Sequence, residues 1–228
     1  MTAARLARAA MLAALLSAPG TAWSQAAGGG GLPPTIPLFP LQDVVLFPNM
    51  SRPLHIFEER YRDMVTEAVQ GDGLIGMVLL RPGYEADYEG NPPIFEVGCA
   101  GEIVQAEELD DGRWLILLEG TVRFRVLGED HSRSYRVADV EALAEQNDQD
   151  DRRVLRGYRE QLAEVFTAMA PSRDTPPEDV SDTDLVNALS QFLPLAPEDR
   201  QALLEAAGPR ARAEALFALI GEPAGGPR

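Results

Sequence analysis

Few residues in this chain are placed to do chemistry. The two histidines, His55 and His131, lie a whole β-rich stretch apart, and no His-x-x-Glu-His or Cys-His pattern links either one to a metal or a nucleophile. His55 reads as the opening residue of a helix, occupied by packing or a hydrogen bond, and His131 as part of the surface turn Glu129-Asp130-His131-Ser132. Cys99 is the only cysteine, which excludes an intramolecular disulfide and a thiolate metal cage. It falls within the strand-like stretch Val97–Ile103 and is expected to be a buried, inert small hydrophobe. No Gly-x-Ser-x-Gly elbow supports a catalytic triad. All basic residues are Arg, so a phosphate-loop lysine, a Schiff base and a Ser-Lys dyad are excluded as well.

Two acidic clusters, Glu85-Ala86-Asp87-Tyr88-Glu89-Gly90-Asn91 and Asp148-Gln149-Asp150-Asp151, invite a calcium reading. Neither has the spacing of a calcium loop with its closing bidentate Glu, and such clusters are expected as solvated loops in so acidic a chain. The Gly28–Gly31 run lacks the following strand and helix of a phosphate cradle. The expectation is therefore a non-enzyme with no catalytic residues, no cofactor and no metal site. The only binding candidates are two aromatics, Phe57 and Tyr61. At i,i+4 on one helical face they could cover the mouth of a small sheet or grip an unfolded peptide.

The elements around these residues change character partway along. Ile36–Phe47, punctuated by Pro37, Pro40 and Pro48, suits a short edge strand. His55–Gln70 has helical apolar spacing, with Gly71 as its stop. Leu74–Leu80 is an apolar run of strand length, and Arg81–Pro93 is a polar loop. Strand character resumes over Ile94–Ala106, Trp114–Leu118, Thr121–Leu127 and Tyr135–Leu143, with Asp111-Gly112 as a hairpin turn and Gly120 as a kink or bulge. Val122, Phe124 and Val126 point one way, and Arg123 and Arg125 the other. After an acidic connector at 146–151 the pattern turns helical: Arg153–Met169, then Asp184–Phe192 capped by Asp182 after a Pro-rich loop, then Pro197–Ala206 and Arg210–Ile220. Strands followed by helices mean an α+β fold.

The chain's ends read differently from its middle. Arg5 and Arg8 precede the apolar run Ala9–Leu16, then Pro19 and Gly20, with small residues at Ala22 and Ser24, the order of a secretory signal peptide. The run is too short to span a membrane. Residues 1–24 are thus expected to be a cleaved leader and 25–34 a flexible Gly/Pro linker, with 221–228 a disordered tail. A net charge of −16 disfavours nucleic acid and anionic membranes, both of which require basic patches.

One long segment resembles a known family. Ile36-Pro37-Leu38-Phe39-Pro40-Leu41-Gln42-Asp43-Val44-Val45-Leu46-Phe47-Pro48, followed by Arg52-Pro53-Leu54-His55-Ile56-Phe57-Glu58-Glu59-Arg60-Tyr61-Arg62-Asp63-Met64-Val65, is similar to the opening of the Lon protease substrate-binding domain. Gly98–Ile103, Asp111–Arg113, Glu119–Val126 and Leu185–Glu205 continue the likeness in family order, so that it covers about residues 35–220. The resemblance implies a PUA-like β pseudo-barrel subdomain over 35–145 and a helical subdomain over 146–220. Many relatives carry Gly after the Pro where this chain has Asn49, and Asn tolerates the same left-handed turn. The chain resembles a stand-alone recognition module, without the ATPase and Ser-Lys peptidase of full Lon proteases.

The function this implies is non-catalytic binding of exposed or extended segments of other proteins, through sheet-edge or groove contacts, in the periplasm if the leader is cleaved. Two rivals are a structural protein of the envelope with one dedicated partner and, if the leader is no signal, a cytoplasmic adaptor to proteolysis. An enzyme built on acidic residues and a metal is the reading from a different class, and metal-dependent stabilisation would mark it.

Overall fold

A sheet whose first and last strands both find a partner on one long middle strand has to curl, and that is how this chain begins. The computed structural model describes residues 31–84, 90–169, 176 and 179–221. The strands are β1 Thr35–Leu41, β2 Ser51–Ile56, β3 Leu74–Leu79, β4 Val97–Glu108, β5 Trp114–Asp130 and β6 Arg136–Leu143; the helix α1, Glu59–Gln70, lies between β2 and β3. Five helices follow: α2 Gln149–Gly157, α3 Arg159–Met169, α4 Asp182–Phe192, α5 Pro197–Glu205 and α6 Pro209–Ile220. The sheet runs β2-β5-β4-β3-β1-β6, and β5 also pairs with β6, which closes the other strands into a pseudo-barrel and leaves β2 as a flap. The strands-then-helices order and the α+β class stand as expected. The leader at 1–24, most of the linker and the tail beyond Gly221 lie outside the described residues.

The 17 residues of β5 make this closure possible. Its first half holds β2 and its second half β6. Two strands were expected here with a kink or bulge at Gly120; there is one strand, and the bulge is present beside Gly120, where the register against β4 slips between Ala100 and Gly101. Inside the barrel a small cluster surrounds Phe124, including Ile36, Leu38, Ala100 and Val140. A Cβ on Gly98 would stand 2.6 Å from the Phe124 ring and 2.5 Å from the Met77 carbonyl oxygen, so the wall can pass this close only with Gly.

Three expectations need correction. The segment at β1 is not an edge strand: β6 pairs with Thr35–Leu38 and β3 with Leu38–Leu41. Each half of β1 has a partner on one side only, which leaves room for Pro37 and Pro40 without their N–H groups. Helix α1 starts at Glu59, not His55, because His55 and Ile56 are paired in β2 with Leu115 and Trp114. The expected Arg153–Met169 helix is two helices that meet at Tyr158. A smaller change is that Ser181, not Asp182, caps α4, accepting a bond from the Asp184 N–H.

The larger core lies between the barrel, α1 and the helical subdomain, with Phe47, Met64, Leu118, Phe166, Leu189 and Phe217 among its buried members. Arg123, expected to face solvent opposite Phe124, is only 3% exposed. The helical subdomain covers that side of β5, and Arg123 donates to the carbonyls of Leu204 at 2.8 Å and Ala206 at 2.6 Å. Its Nε lies 3.0 Å from Glu145 Oε1, out of line for a hydrogen bond. Burial pulls the Arg123 guanidinium below its ordinary pKa, and Glu145 offsets part of that shift. Arg212, fully buried, donates to the same Glu145 oxygen at 2.6 Å, to the Leu203 carbonyl at 2.9 Å and to Asn187. Asn187 and Gln191, one turn apart on α4, hold the chain leading into β2 through Pro48, Phe47 and Ser51 backbone groups at 2.9–3.1 Å.

Candidate functional site

Where β2, β5 and β4 lie side by side, paired residues share a face. One face carries Leu54, Ile56, Ile116 and Leu118, which turn into the core. The opposite face is built in two rows: Pro53, Leu117 and Gln105, then His55, Leu115 and Glu107. Leu115 is 41% exposed, and Val104, the extra residue where the β4 register slips opposite Leu117 and Leu118, is exposed as well. Just past β2, Phe57 is 63% exposed, its ring centre 5.9 Å from that of His55. Glu102, Glu107 and Glu119 border this apolar surface, all exposed. Exposed apolar groups gathered on one face and rimmed by carboxylates have the chemistry to take up chain segments that carry apolar and basic residues.

The structure separates the two aromatics expected to act together. Tyr61 is 4% exposed and packs edge-on against Phe39 at 4.6 Å, while Phe57 stays outside the helix and outside the core. Their i,i+4 spacing lost its meaning once the helix began after Phe57. Pro53, Leu115, Leu117 and Val104 were not singled out from the sequence. The signal was there: Trp114–Leu118 is almost uninterruptedly apolar, and in an antiparallel strand only one of its two faces can belong to the core.

The free edge of β2 is a poorer binding surface than its face. Pro53 offers no N–H, and Gln191 already takes the Ser51 carbonyl. Elsewhere, Cys99 is fully buried and burial pushes its thiol pKa up to about 12, in keeping with an unreactive side chain. Asp148 and Asp151 form a capping box at the start of α2. Among the described residues no group of three or more His, Cys, Asp or Glu side chains is arranged to hold a metal; Glu85–Glu89 lie outside them. Among those residues no helix is long and apolar enough to cross a membrane.

A pseudo-barrel handing over to a bundle of short helices is an architecture with known relatives. The profile of the ATP-dependent protease La (LON) substrate-binding domain matches residues 35–222, and the chain belongs to that family. It is 27% identical over 193 residues to Lon protease of Escherichia coli (strain K12), covering 81% of this chain and 24% of that protein. With Lon protease 2 of Syntrophobacter fumaroxidans it shares 30% identity over 115 residues, 50% of this chain and 14% of the relative. The chain thus spans about a quarter or less of the length of these relatives. Among solved structures it is similar to the crystal structure of the Lon N-terminal domain protein from Xanthomonas campestris, with a TM-score of 0.61 and 27% identity over 81% of this chain and 97% of that one. The N-terminal domain of Mycobacterium avium complex Lon protease has the same fold, with a TM-score of 0.61 at 16% identity.

Proposed function

We propose that this protein is a non-catalytic recognition module that binds exposed or extended segments of other proteins, and that the outward face of β2, β5 and β4 makes the contact. The observation that carries this reading is the apolar surface of Pro53, Leu115 and Phe57, exposed to water with half-buried Leu117 on the same face, within a carboxylate rim. Membership of a family of substrate-binding domains supports it. Burying an exposed leucine contributes at most about 1.5–3 kcal/mol, so a surface of this size holds any one segment weakly, which suits many clients better than one.

The same reading places the mature protein in the periplasm, on the strength of the charged, apolar and small-residue order of residues 1–24. Binding there would run without ATP. Mass spectrometry of the protein recovered from fractionated cells tests this: an N-terminus near Gln25 or Ala27 in the envelope fraction agrees with export, and an intact leader in the cytoplasm favours an adaptor to proteolysis. Client binding is tested by fluorescence anisotropy with a permanently unfolded, reduced and alkylated protein. Saturable binding is expected; its absence, together with recovery of one stoichiometric partner from cells, would replace the recognition reading with that of a dedicated assembly protein.

A further inference from the structure

The candidate face ends in two strand edges, and only one of them is closed. On the β2 side the outward backbone positions are blocked, by the missing N–H of Pro53 and by Gln191 on the Ser51 carbonyl. On the β4 side, β3 stops at Leu74, opposite Glu102, and the last bond across runs from the Ile103 N–H to the Gly73 carbonyl at 2.8 Å. Residues 104–108 are exposed, with β5 on one side and no strand on the other among the described residues.

The turn after β4 fixes which way this backbone points. Leu109 donates its N–H to the Arg113 carbonyl and accepts the Gly112 N–H, each at 2.8 Å, so both its groups face the β5 side. Positions alternate along an antiparallel ladder, so Glu107 and Gln105 also bond to β5, opposite Leu115 and Leu117. Ala106 and Glu108 turn their N–H and C=O groups outward, and none of these groups has a partner among the described residues. Donors and acceptors thus stand open at the repeat of a β ladder.

We infer that an extended client segment with Lys or Arg at alternate positions pairs with this edge as an added strand. The inference rests on the recognition reading and gives that face its mode of binding. A strand laid beside β4 puts every second side chain on the outward face, next to Gln105 and Glu107, with Leu117 and Leu115 one strand further in. A Lys or Arg in that row pairs with Glu107 and lays its methylene stem towards Leu115. Glu102, Glu107 and Glu108 are exposed and have no ion pair among the described residues, so their charge is available to a partner. The same carboxylates decide against a second copy of this chain. The antiparallel register that uses both Ala106 and Glu108 would set Glu107 directly opposite its own copy, where like charges repel. Main-chain bonds supply affinity without reading side chains, which suits clients of varied sequence.

The test is amide hydrogen exchange of the full wild-type chain, read by NMR, with a synthetic peptide of alternating Val and Arg and a second of alternating Val and Glu. The Ala106 and Glu108 amides are expected to slow by about tenfold or more at saturation with the Val–Arg peptide and to be unchanged with the Val–Glu peptide. The Glu107 and Leu109 amides, already bonded to β5, should change little. Ala106→Pro removes one outward N–H and keeps the β5 bonds of its neighbours, so it is expected to hold the wild-type unfolding midpoint and weaken the Val–Arg peptide about tenfold. Because exchange is read on the wild-type chain, it decides the matter however Ala106→Pro folds. Equal protection by the Val–Glu peptide would overturn the added strand. So would client binding that Leu115→Asp weakens while Ala106 and Glu108 gain no protection, an outcome that leaves the recognition face standing. Binding of neither the peptide nor an unfolded protein would remove both.

Discussion

At the junction of barrel and helices, Arg123, Arg212 and Glu145 are charged groups turned inward; on the outer face of β2 and β5, Pro53, Leu115 and Leu117 are apolar groups turned outward. Both arrangements go against the usual partition of a small domain. The difference lies in their partners. The junction charges are bonded to backbone carbonyls and to one another, so their positions are explained by the folded chain itself. The outer leucines lack that cover, and what would cover them has to come from elsewhere. Substitutions at the junction should therefore act on stability, and those at the face on binding.

The largest effect is expected from Arg212→Ala. It strips the donor from Glu145, Asn187 and the Leu203 carbonyl at once and opens space beside Phe47, over whose ring the guanidinium sits at 5.5 Å. Removing one partner of a buried pair costs about 3–5 kcal/mol, which urea unfolding would register as a marked fall in midpoint. A loss below about 1 kcal/mol would mean that water or Arg123 replaces the missing charge, and the junction would lose its place in the comparison.

Next comes Gly120→Ala. The added Cβ would stand 2.2 Å from the Phe47 carbonyl oxygen, and the Gly120 backbone is already pinned, with its N–H bonded to Met50 at 2.9 Å and its carbonyl to Asn49 at 2.7 Å. Neither side can yield cheaply, so a cost of about 1–3 kcal/mol follows. For a chain of this size that is a fall of roughly 2–4 °C in Tm per kcal/mol, read by calorimetry. A wild-type Tm would show that the bulge around Thr121 absorbs the methyl group by shifting register.

How much of this was legible in the sequence depended on whether the answer was local. Gly112 at the β4–β5 turn, the left-handed Asn49 and the helix start at Pro197 were all readable, because each rests on a few residues of backbone preference, whereas Pro209, which reads as part of the preceding stop, instead opens α6. Alternation placed Arg123 and Phe124 on opposite faces correctly, yet it could not say that a subdomain more than seventy residues later would cover the Arg123 face. Pro37 and Pro40 argued for an edge strand because composition cannot reveal a strand whose two halves have different neighbours. At the candidate site Phe57 was named from the sequence, with the wrong companion. The neighbour the structure gives it is His55, two residues back, and only the register of β2 on β5 sets Leu115 opposite that histidine.

A smaller stability effect is expected at the start of α4. Ser181 Oγ accepts the Asp184 N–H at 3.0 Å, and Ser181→Ala removes that cap for about 1 kcal/mol. Because α4 also carries Asn187 and Gln191, which hold the entry to β2, hydrogen exchange should rise at Phe47 and Asn49–Ser51 as well as in the first turn of the helix. Faster exchange in α4 alone would show that the helix does not hold the entry to β2.

The smallest change in stability and the largest in function should come from Leu115→Asp. The side chain is partly in water and touches none of the junction, so unfolding should move by no more than about 0.5 kcal/mol. Affinity for an unfolded client should fall about tenfold, through loss of an apolar contact and addition of one more carboxylate to a rim that already holds Glu102, Glu107 and Glu119. The control is Leu127→Asp. Leu127 is 64% exposed, more than Leu115, but lies on the half of β5 that pairs with β6. If exposure alone drew clients, both variants would bind poorly; if the β2–β5–β4 face does, only Leu115→Asp will. Equal losses in the two would dissolve the distinction between a recognition face and scattered surface leucines. A loss confined to Leu115→Asp, greater for clients rich in Lys and Arg, would tie recognition to that face and its acidic border.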